Sequence, residues 1–218
     1  MTKKIGVAGI GAIGSVVAQA LLNNEINGFE LDCICDPTPI IEIDRPNVSF
    51  LELVSRVDLI VECLPAAVVP ELAEITFKVN KNILFISSAA LLVYPEILER
   101  HKNSTSTIYV PSGALTGLDG VKAMKELGIR ESKIATTKPP KGFIGAPHVI
   151  ENNIDLEMIS EKTCIFEGNA LEASKGFPAN INVAATLSLA GIGPQETRVE
   201  IWTDPEAKGN THEITVKG

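Results

Sequence analysis

Three stretches of this sequence carry residue types whose spacing suits chemistry. The first is Gly9-Ile10-Gly11-Ala12-Ile13-Gly14, followed about 20 residues later by Asp36. In such a turn Gly9 permits the tight bend, Gly11 lets a pyrophosphate approach the backbone, and Gly14 lets a helix pack close to a strand. With Ala12 and Ile13 in its first turn, that helix offers unpaired N–H groups and the positive end of its dipole to phosphate. Asp36 then stands where a carboxylate accepts from an adenosine ribose. The alternative is a glycine turn that only packs a βαβ unit. The second stretch runs from Phe177 to Thr186 and holds Asn180 and Asn182 ahead of a helical pattern. Asparagine caps helices well, yet a carboxamide there also suits a nicotinamide amide or a substrate carboxylate. The third is Thr211-His212-Glu213-Ile214-Thr215-Val216, where alternation puts His212 on one face with Ile214 and Val216. A histidine there is either a satisfied core residue or lines a cleft. Imidazole exchanges protons near neutral pH, since its ordinary pKa is ~6.5.

Other candidates are weaker. His101 ends a helical pattern and reads as a solvated C-terminal residue. His148 sits in the loop Gly145-Ala146-Pro147-His148 and reads as structural. The run beginning at His212 is not the zinc motif HExxH, and no Cys-x-x-Cys pair occurs, so no metal site is expected. Cys33 and Cys35 alternate on one strand face and read as core residues. Cys63 closes a predicted strand, where it contacts the cofactor, serves as a nucleophile or is simply a buried core thiol. Leu64-Pro65 after it supply no base.

Elements must position these residues. Apolar strand patterns over 5–8, 31–35, 57–63, 82–87 and 107–110 alternate with helical patterns over 49–56, 70–79 and 95–101. The helix after the glycine turn is expected to bury Ile13, Val16, Val17, Ala20 and Leu21. Repeated βα units predict a parallel sheet whose ligands sit beyond the carboxyl ends of its strands. Further on, 116–127 reads as a helix capped through Thr116 and Asp119, 136–143 as a loop, and 144–162 as irregular. A strand over 163–167 and helices over 170–175 and 182–190 follow. The runs 198–203 and 211–217 are expected to pair as a hairpin. The expected fold class is α/β: a Rossmann-type, doubly wound parallel sheet over residues 1–110, the dinucleotide-binding domain, and a second, smaller α+β domain over 111–218, the substrate and catalytic domain.

Composition narrows the function. The 218 residues are 45% hydrophobic, enough for a globular core. A net charge of −8 and the absence of a Lys/Arg-rich run argue against a nucleic-acid partner. No apolar run reaches the ~18 residues of a membrane span. Met1-Thr2-Lys3-Lys4 leads directly into the first strand, so no secretory signal and a cytoplasmic location are expected.

Taken together, several segments resemble the L-aspartate dehydrogenase family. They are the glycine turn, Pro111-Ser112-Gly113-Ala114-Leu115-Thr116-Gly117-Leu118-Asp119, Lys138-Pro139-Pro140-Lys141-Gly142-Phe143, Phe166-Glu167-Gly168-Asn169-Ala170, the run from Phe177 to Gly191, and Asn210-Thr211-His212-Glu213-Ile214. They occur in order over nearly the whole chain. The resemblance implies that Ala114 and Asn182 contact the cofactor and that His212 is catalytic. It also implies oxidative deamination of L-aspartate with NAD or NADP, through iminoaspartate to oxaloacetate and ammonia, or the reverse. The nicotinamide is expected between the two domains, and iminoaspartate could feed NAD synthesis. Lys138 and Asn180 are the expected substrate-binding residues, since a dicarboxylate needs local positive charge in an acidic protein; the other reading of Lys138 is a solvated loop lysine. Asp36, with Pro37-Thr38-Pro39 and no arginine after it, favours NAD over NADP. A homodimer is expected. Thr136-Thr137 stand where a basic residue beside Lys138 is expected from relatives. The chain also ends at Gly218, short of the closing strand and helix that relatives carry, so exposed apolar surface is expected. The alternatives are a related oxidoreductase acting on another small amino acid or a semialdehyde, and a non-catalytic NAD-binding regulator.

Overall fold

A computed structural model describes residues 2–218. The chain divides into two compact units, one ending at Pro111 and the other spanning Ser112–Gly218. Among the described residues no helix is long and apolar enough to cross a membrane.

The first unit alternates strands and helices in chain order: β1 (Lys3–Ala8), α1 (Ala12–Leu22), β2 (Phe29–Cys35), α2 (Phe50–Arg56), β3 (Leu59–Glu62), α3 (Val69–Lys78), β4 (Asn82–Phe85), α4 (Ala90–Val93), α5 (Glu96–His101) and β5 (Ile108–Tyr109). The five strands form one parallel sheet in the order β2-β1-β3-β4-β5. This is the Rossmann-type, doubly wound sheet. Its strand order reverses between β1 and β3, the place where such sheets bind ligands. The buried runs of these strands, such as Cys33-Ile34-Cys35 and Ile60-Val61, are apolar because helices cover both faces. Ile5, Val7, Ile34 and Val61 form the core beside the turn.

Helix α1 departs from the expected apolar face. Gly14, Ser15, Ala18 and Leu21 are buried, whereas Ile13 and Val16 are 52% and 67% exposed. The stripe against the sheet begins with the small residues Gly14, Ser15 and Ala18, because the start of the helix comes too close for larger ones. A Cβ on Gly14 would lie 1.8 Å from the Gly9 carbonyl oxygen, and one on Gly9 would lie 2.4 Å from that of Cys63. Gly9 also has φ +90°, a conformation costly for any L side chain. Segment 90–93, which carried no helix in the sequence reading, forms the single turn α4.

The second unit contains α6 (Leu118–Leu127), β6 (Glu131–Lys138), a 3₁₀ turn over Pro140–Phe143, α7 (Pro147–Glu151), β7 (Thr163–Asn169), α8 (Ala170–Gly176), α9 (Asn182–Ala190), β8 (Thr197–Thr203) and β9 (Thr211–Lys217). Its sheet order is β7-β8-β6-β9. The expected hairpin does not form. Instead β6 lies between β8 and β9, parallel to the first and antiparallel to the second. The connection over 204–210 is long enough to cross one strand, a span of roughly 10 Å. Residues 136–138, expected in a loop, are the end of β6. The expected Thr116 cap is also absent: Gly117, at φ +72°, is the N-cap of α6, with no side-chain hydrogen bond. Segment 147–151, expected to be irregular, is the short helix α7. By contrast α8 opens on a complete capping box, with Asn169 and Glu172 bonding each other's backbone N–H.

Gly9→Ala and Gly14→Ala should each destabilise the protein by at least ~2 kcal/mol, because a backbone carbonyl must move. Gly11→Ala should stay within ~1 kcal/mol of wild type, since its Cβ meets nothing within 4 Å. Thermal denaturation of the three variants checks this ordering.

Candidate active site

In the first unit the site builds from the turn between β1 and α1. Gly11 is the N-cap of α1 and no side chain caps the helix. Its first N–H groups therefore have no side-chain acceptor competing with a phosphate. The position a Cβ would take at Gly11 opens on empty space, so a pyrophosphate can come close to the backbone there. Ala12 and Ile13 are exposed in the first turn of the helix. Asp36, half-buried just past β2, accepts from the Ile10 N–H at 2.5 Å through Oδ2 and from the Thr38 N–H at 2.7 Å through Oδ1. It thus pins the glycine turn. Each carboxylate oxygen has more than one acceptor site, so a ribose hydroxyl can still be received. The arginine of the following loop, Arg45, is spent on the carbonyls of Leu31 and Asp44. These features fit a dinucleotide.

Cys63 closes this edge beside Gly9 and Gly14. Burial pushes its thiol up to about 12, and the neighbouring Glu62 carboxyl adds to the effect. It therefore remains a thiol at neutral pH, which disfavours a cysteine nucleophile. Sequence reasoning missed Glu62, which is completely buried. Its signal was a carboxylate inside an otherwise apolar strand.

In the second unit the candidate residues gather around β6. His212 on β9 is directly opposite Thr136 in the ladder, and its Nδ1 lies 3.0 Å from the Thr136 hydroxyl. Along β9, His212, Ile214 and Val216 are half-buried while Thr211, Glu213 and Thr215 are exposed. Burial lowers the His212 pKa below the ordinary 6.5, and the charge of Lys138 lowers it further. Lys138 is two residues beyond Thr136, on the same face of β6. Its ammonium donates to Asn180 Oδ1 at 2.7 Å and lies 5.9 Å from the centre of the Phe143 ring. Burial lowers its pKa from 10.5. Among the described residues no carboxylate forms an ion pair with it. Lys138 is thus a half-buried cation without an anionic partner, not a solvated loop lysine.

An aromatic cluster supports this corner. Phe143 and Phe177 are completely buried and pack edge to face at 5.9 Å. His148 packs on Phe166 and Phe177 at 5.2 Å, and its Nε2 bonds the Ile165 backbone oxygen at 3.0 Å. This histidine is structural. So is His101, which bonds the Ser106 backbone oxygen at 2.7 Å and packs on Phe77, so it is held rather than solvated.

Neither asparagine caps α9, whose N-cap is Ile181 with no side-chain bond. Asn180 instead meets Lys138, and Asn182 is the first residue of the helix. Ala114 lies exposed in the segment before α6. Sequence reasoning missed Thr136 as the partner of His212, because a cross-strand neighbour has no local signature.

A family model described as "Homoserine dehydrogenase, NAD binding domain" matches residues 9–111. One described as "Aspartate dehydrogenase, C-terminal" matches residues 119–218. L-aspartate dehydrogenase 3 of Bordetella bronchiseptica is 43% identical over 97% of this chain and 81% of its own length. The L-aspartate dehydrogenase of Methanosarcina acetivorans is 37% identical over 99% of this chain and 83% of its own. The crystal structure of aspartate dehydrogenase from Thermotoga maritima superposes with a TM-score of 0.73 at 29% identity, covering 100% of this chain and 86% of that one. By its sequence along nearly its whole length, the chain belongs to the L-aspartate dehydrogenase family.

Proposed function

We propose that this chain is an NAD(P)-dependent L-aspartate dehydrogenase, converting L-aspartate through iminoaspartate to oxaloacetate and ammonia, or running the reverse reaction. The observation that carries the reading is the Thr136–His212 pair beside the unpaired Lys138 ammonium, in a unit that matches the aspartate dehydrogenase C-terminal family.

The nicotinamide cofactor, when bound, accepts the hydride of the aspartate Cα–H bond. The chain's residues do the rest. The N–H groups of Gly11, Ala12 and Ile13 and the backbone beside Gly9, Gly14 and Cys63 receive the dinucleotide. Ala114 and Asn182 belong to the same set by family resemblance. Lys138 supplies the charge that holds a substrate carboxylate, and Asn180 orients its ammonium. His212 acts as general base. The Thr136 hydroxyl accepts from Nδ1–H, which leaves the Nε2 lone pair for a water that attacks the imine carbon. Burial and Lys138 both keep this imidazole neutral at working pH, the form that a base requires.

NAD is the favoured cofactor. A 2′-phosphate beside the Asp36 carboxylate would be repelled, and Arg45 is committed to backbone carbonyls. Supply of iminoaspartate to NAD synthesis, a cytoplasmic location and a homodimer complete the reading. Family resemblance supports the supply of iminoaspartate.

His212→Ala should lower kcat by ~10²-fold or more while NADH binding stays within about twofold of wild type. Reduction of NAD with L-aspartate, followed by absorbance, checks this. Binding of cofactor with no turnover of L-aspartate by wild type would sink the reading. Gly11→Ala should weaken NADH binding at least ~10-fold, since the new methyl occupies the pyrophosphate approach.

The pH profile follows from the direction of the His212 shift. Neutral His212 predominates above its lowered pKa, so kcat/KM should fall on an acid limb below 6.5. Lys138→Met removes the repelling charge, so that limb should move up towards 6.5, in addition to a raised KM for L-aspartate.

A further inference from the structure

The carboxyl of Glu62 has no task in the reaction above, yet its placement is specific. It ends β3 at the strand's carboxyl edge and is completely buried. Oε1 accepts from the Leu64 N–H at 2.6 Å. Oε2 accepts from the Ser87 N–H at 3.1 Å. The Ser87 hydroxyl donates to the Leu64 carbonyl at 2.6 Å, which closes a ring. The backbone adds a further tie, from the Ile86 N–H to the Glu62 carbonyl at 3.1 Å. One side chain therefore joins the segments leaving β3 and β4. Both segments start at the edge where an open parallel sheet receives its ligand.

Among the described residues no cation forms an ion pair with Glu62. A buried carboxylate without a cation is costly, and here backbone N–H donors and the neighbouring Ser87 side chain offset it. We propose that Glu62 is a positioning residue whose ionised carboxylate clamps the β3 and β4 loops in the shape that receives the dinucleotide, and whose protonation loosens that edge. The proposal rests on the dinucleotide reading of the first unit and not on the choice of L-aspartate as substrate.

The chemistry is a proton switch on one oxygen. Ionised, the carboxylate accepts from both N–H groups. Protonated on Oε2, that oxygen becomes a poorer acceptor, and the bond from the Ser87 N–H, the longer of the two, weakens. Burial pushes the Glu62 pKa up to about 7, against the opposing pull of the Ser87 and Leu64 N–H groups. Its ladder neighbours, Ala8 on β1 and Phe85 on β4, do not titrate. The titratable group beside it is the Cys63 thiol, which stays protonated through this range. By reciprocity, a cofactor that prefers the ionised form must lower the carboxyl pKa when it binds.

Fluorescence titration of the full chain with NADH and NADPH, from pH 6 to 8.5, tests the clamp. For the tighter cofactor, wild-type Kd should rise roughly fivefold by pH 6, the full factor of ten that one pKa unit represents being reached only below the lowered pKa. Glu62→Gln should bind weakly and with a flat profile. Carboxyl ¹³C NMR of the wild type should show the Glu62 pKa falling by about one unit on saturation with NADH, and this readout decides the matter if Glu62→Gln does not fold. A wild-type Kd that is flat with pH, a Glu62→Gln Kd within twofold of wild type, or a carboxyl pKa unmoved by NADH overturns the proposal. The aspartate reading fails separately: a pH-dependent clamp with no L-aspartate turnover leaves Glu62 in place and removes only the substrate.

Discussion

Almost no space separates the turn after β1 from the backbone at the end of β3, and the first unit is arranged around that crowding. The missing side chains of Gly9 and Gly14 let three elements meet there, β1, α1 and β3. Two consequences follow. The start of α1 is fixed at the point where strand order reverses, so its free N–H groups point at the ligand edge. The helix must also turn its small residues inward, which leaves Ile13 and Val16 outside. Side chains then hold the arrangement, Asp36 from β2 and Glu62 from β3, each accepting from backbone N–H groups of neighbouring segments.

The second unit is organised by a different constraint, a mostly polar strand inside a sheet. β6 has partners on both sides, so its alternation fixes what faces each side. One face carries Ile134 in the core, then Thr136, then Lys138 near the strand's end. The strand thus grades from apolar packing to an imidazole partner to a cation within five residues. The aromatic cluster of Phe143, Phe166, Phe177 and His148 braces the loop that brings Asn180 to Lys138.

How much of this the sequence discloses depends on the range of the interaction. The parallel unit is legible because each buried strand writes its own apolar run, as in Leu59-Ile60-Val61, and the glycine spacing is local. The face of α1 was misread because hydrophobicity alone ranks Ile13 above Ser15, while the deciding quantity is the distance to the sheet. β6 was hidden because its inward positions include Ser132 and Thr136, which look like loop residues. The false hairpin has the same origin: two adjacent alternating runs look paired until a third strand claims the place between them. The meeting of Lys138 with Asn180 and of Thr136 with His212 spans dozens of residues, and no local pattern encodes it.

On the proposed reading Asp36 would combine two duties that are separable in principle. Its position at the end of β2 suits selection of the cofactor's ribose, and its Oδ2 holds the Ile10 N–H inside the glycine turn. A lineage drifting from one dinucleotide to the other could not exchange this residue without also loosening the turn that every dinucleotide needs. The route to a new cofactor therefore passes first through compensating changes near Ile10, and only then through the carboxylate. If Asp36 sets the preference, preference and scaffold are tied together by one short hydrogen bond, and the choice of cofactor should be slow to evolve.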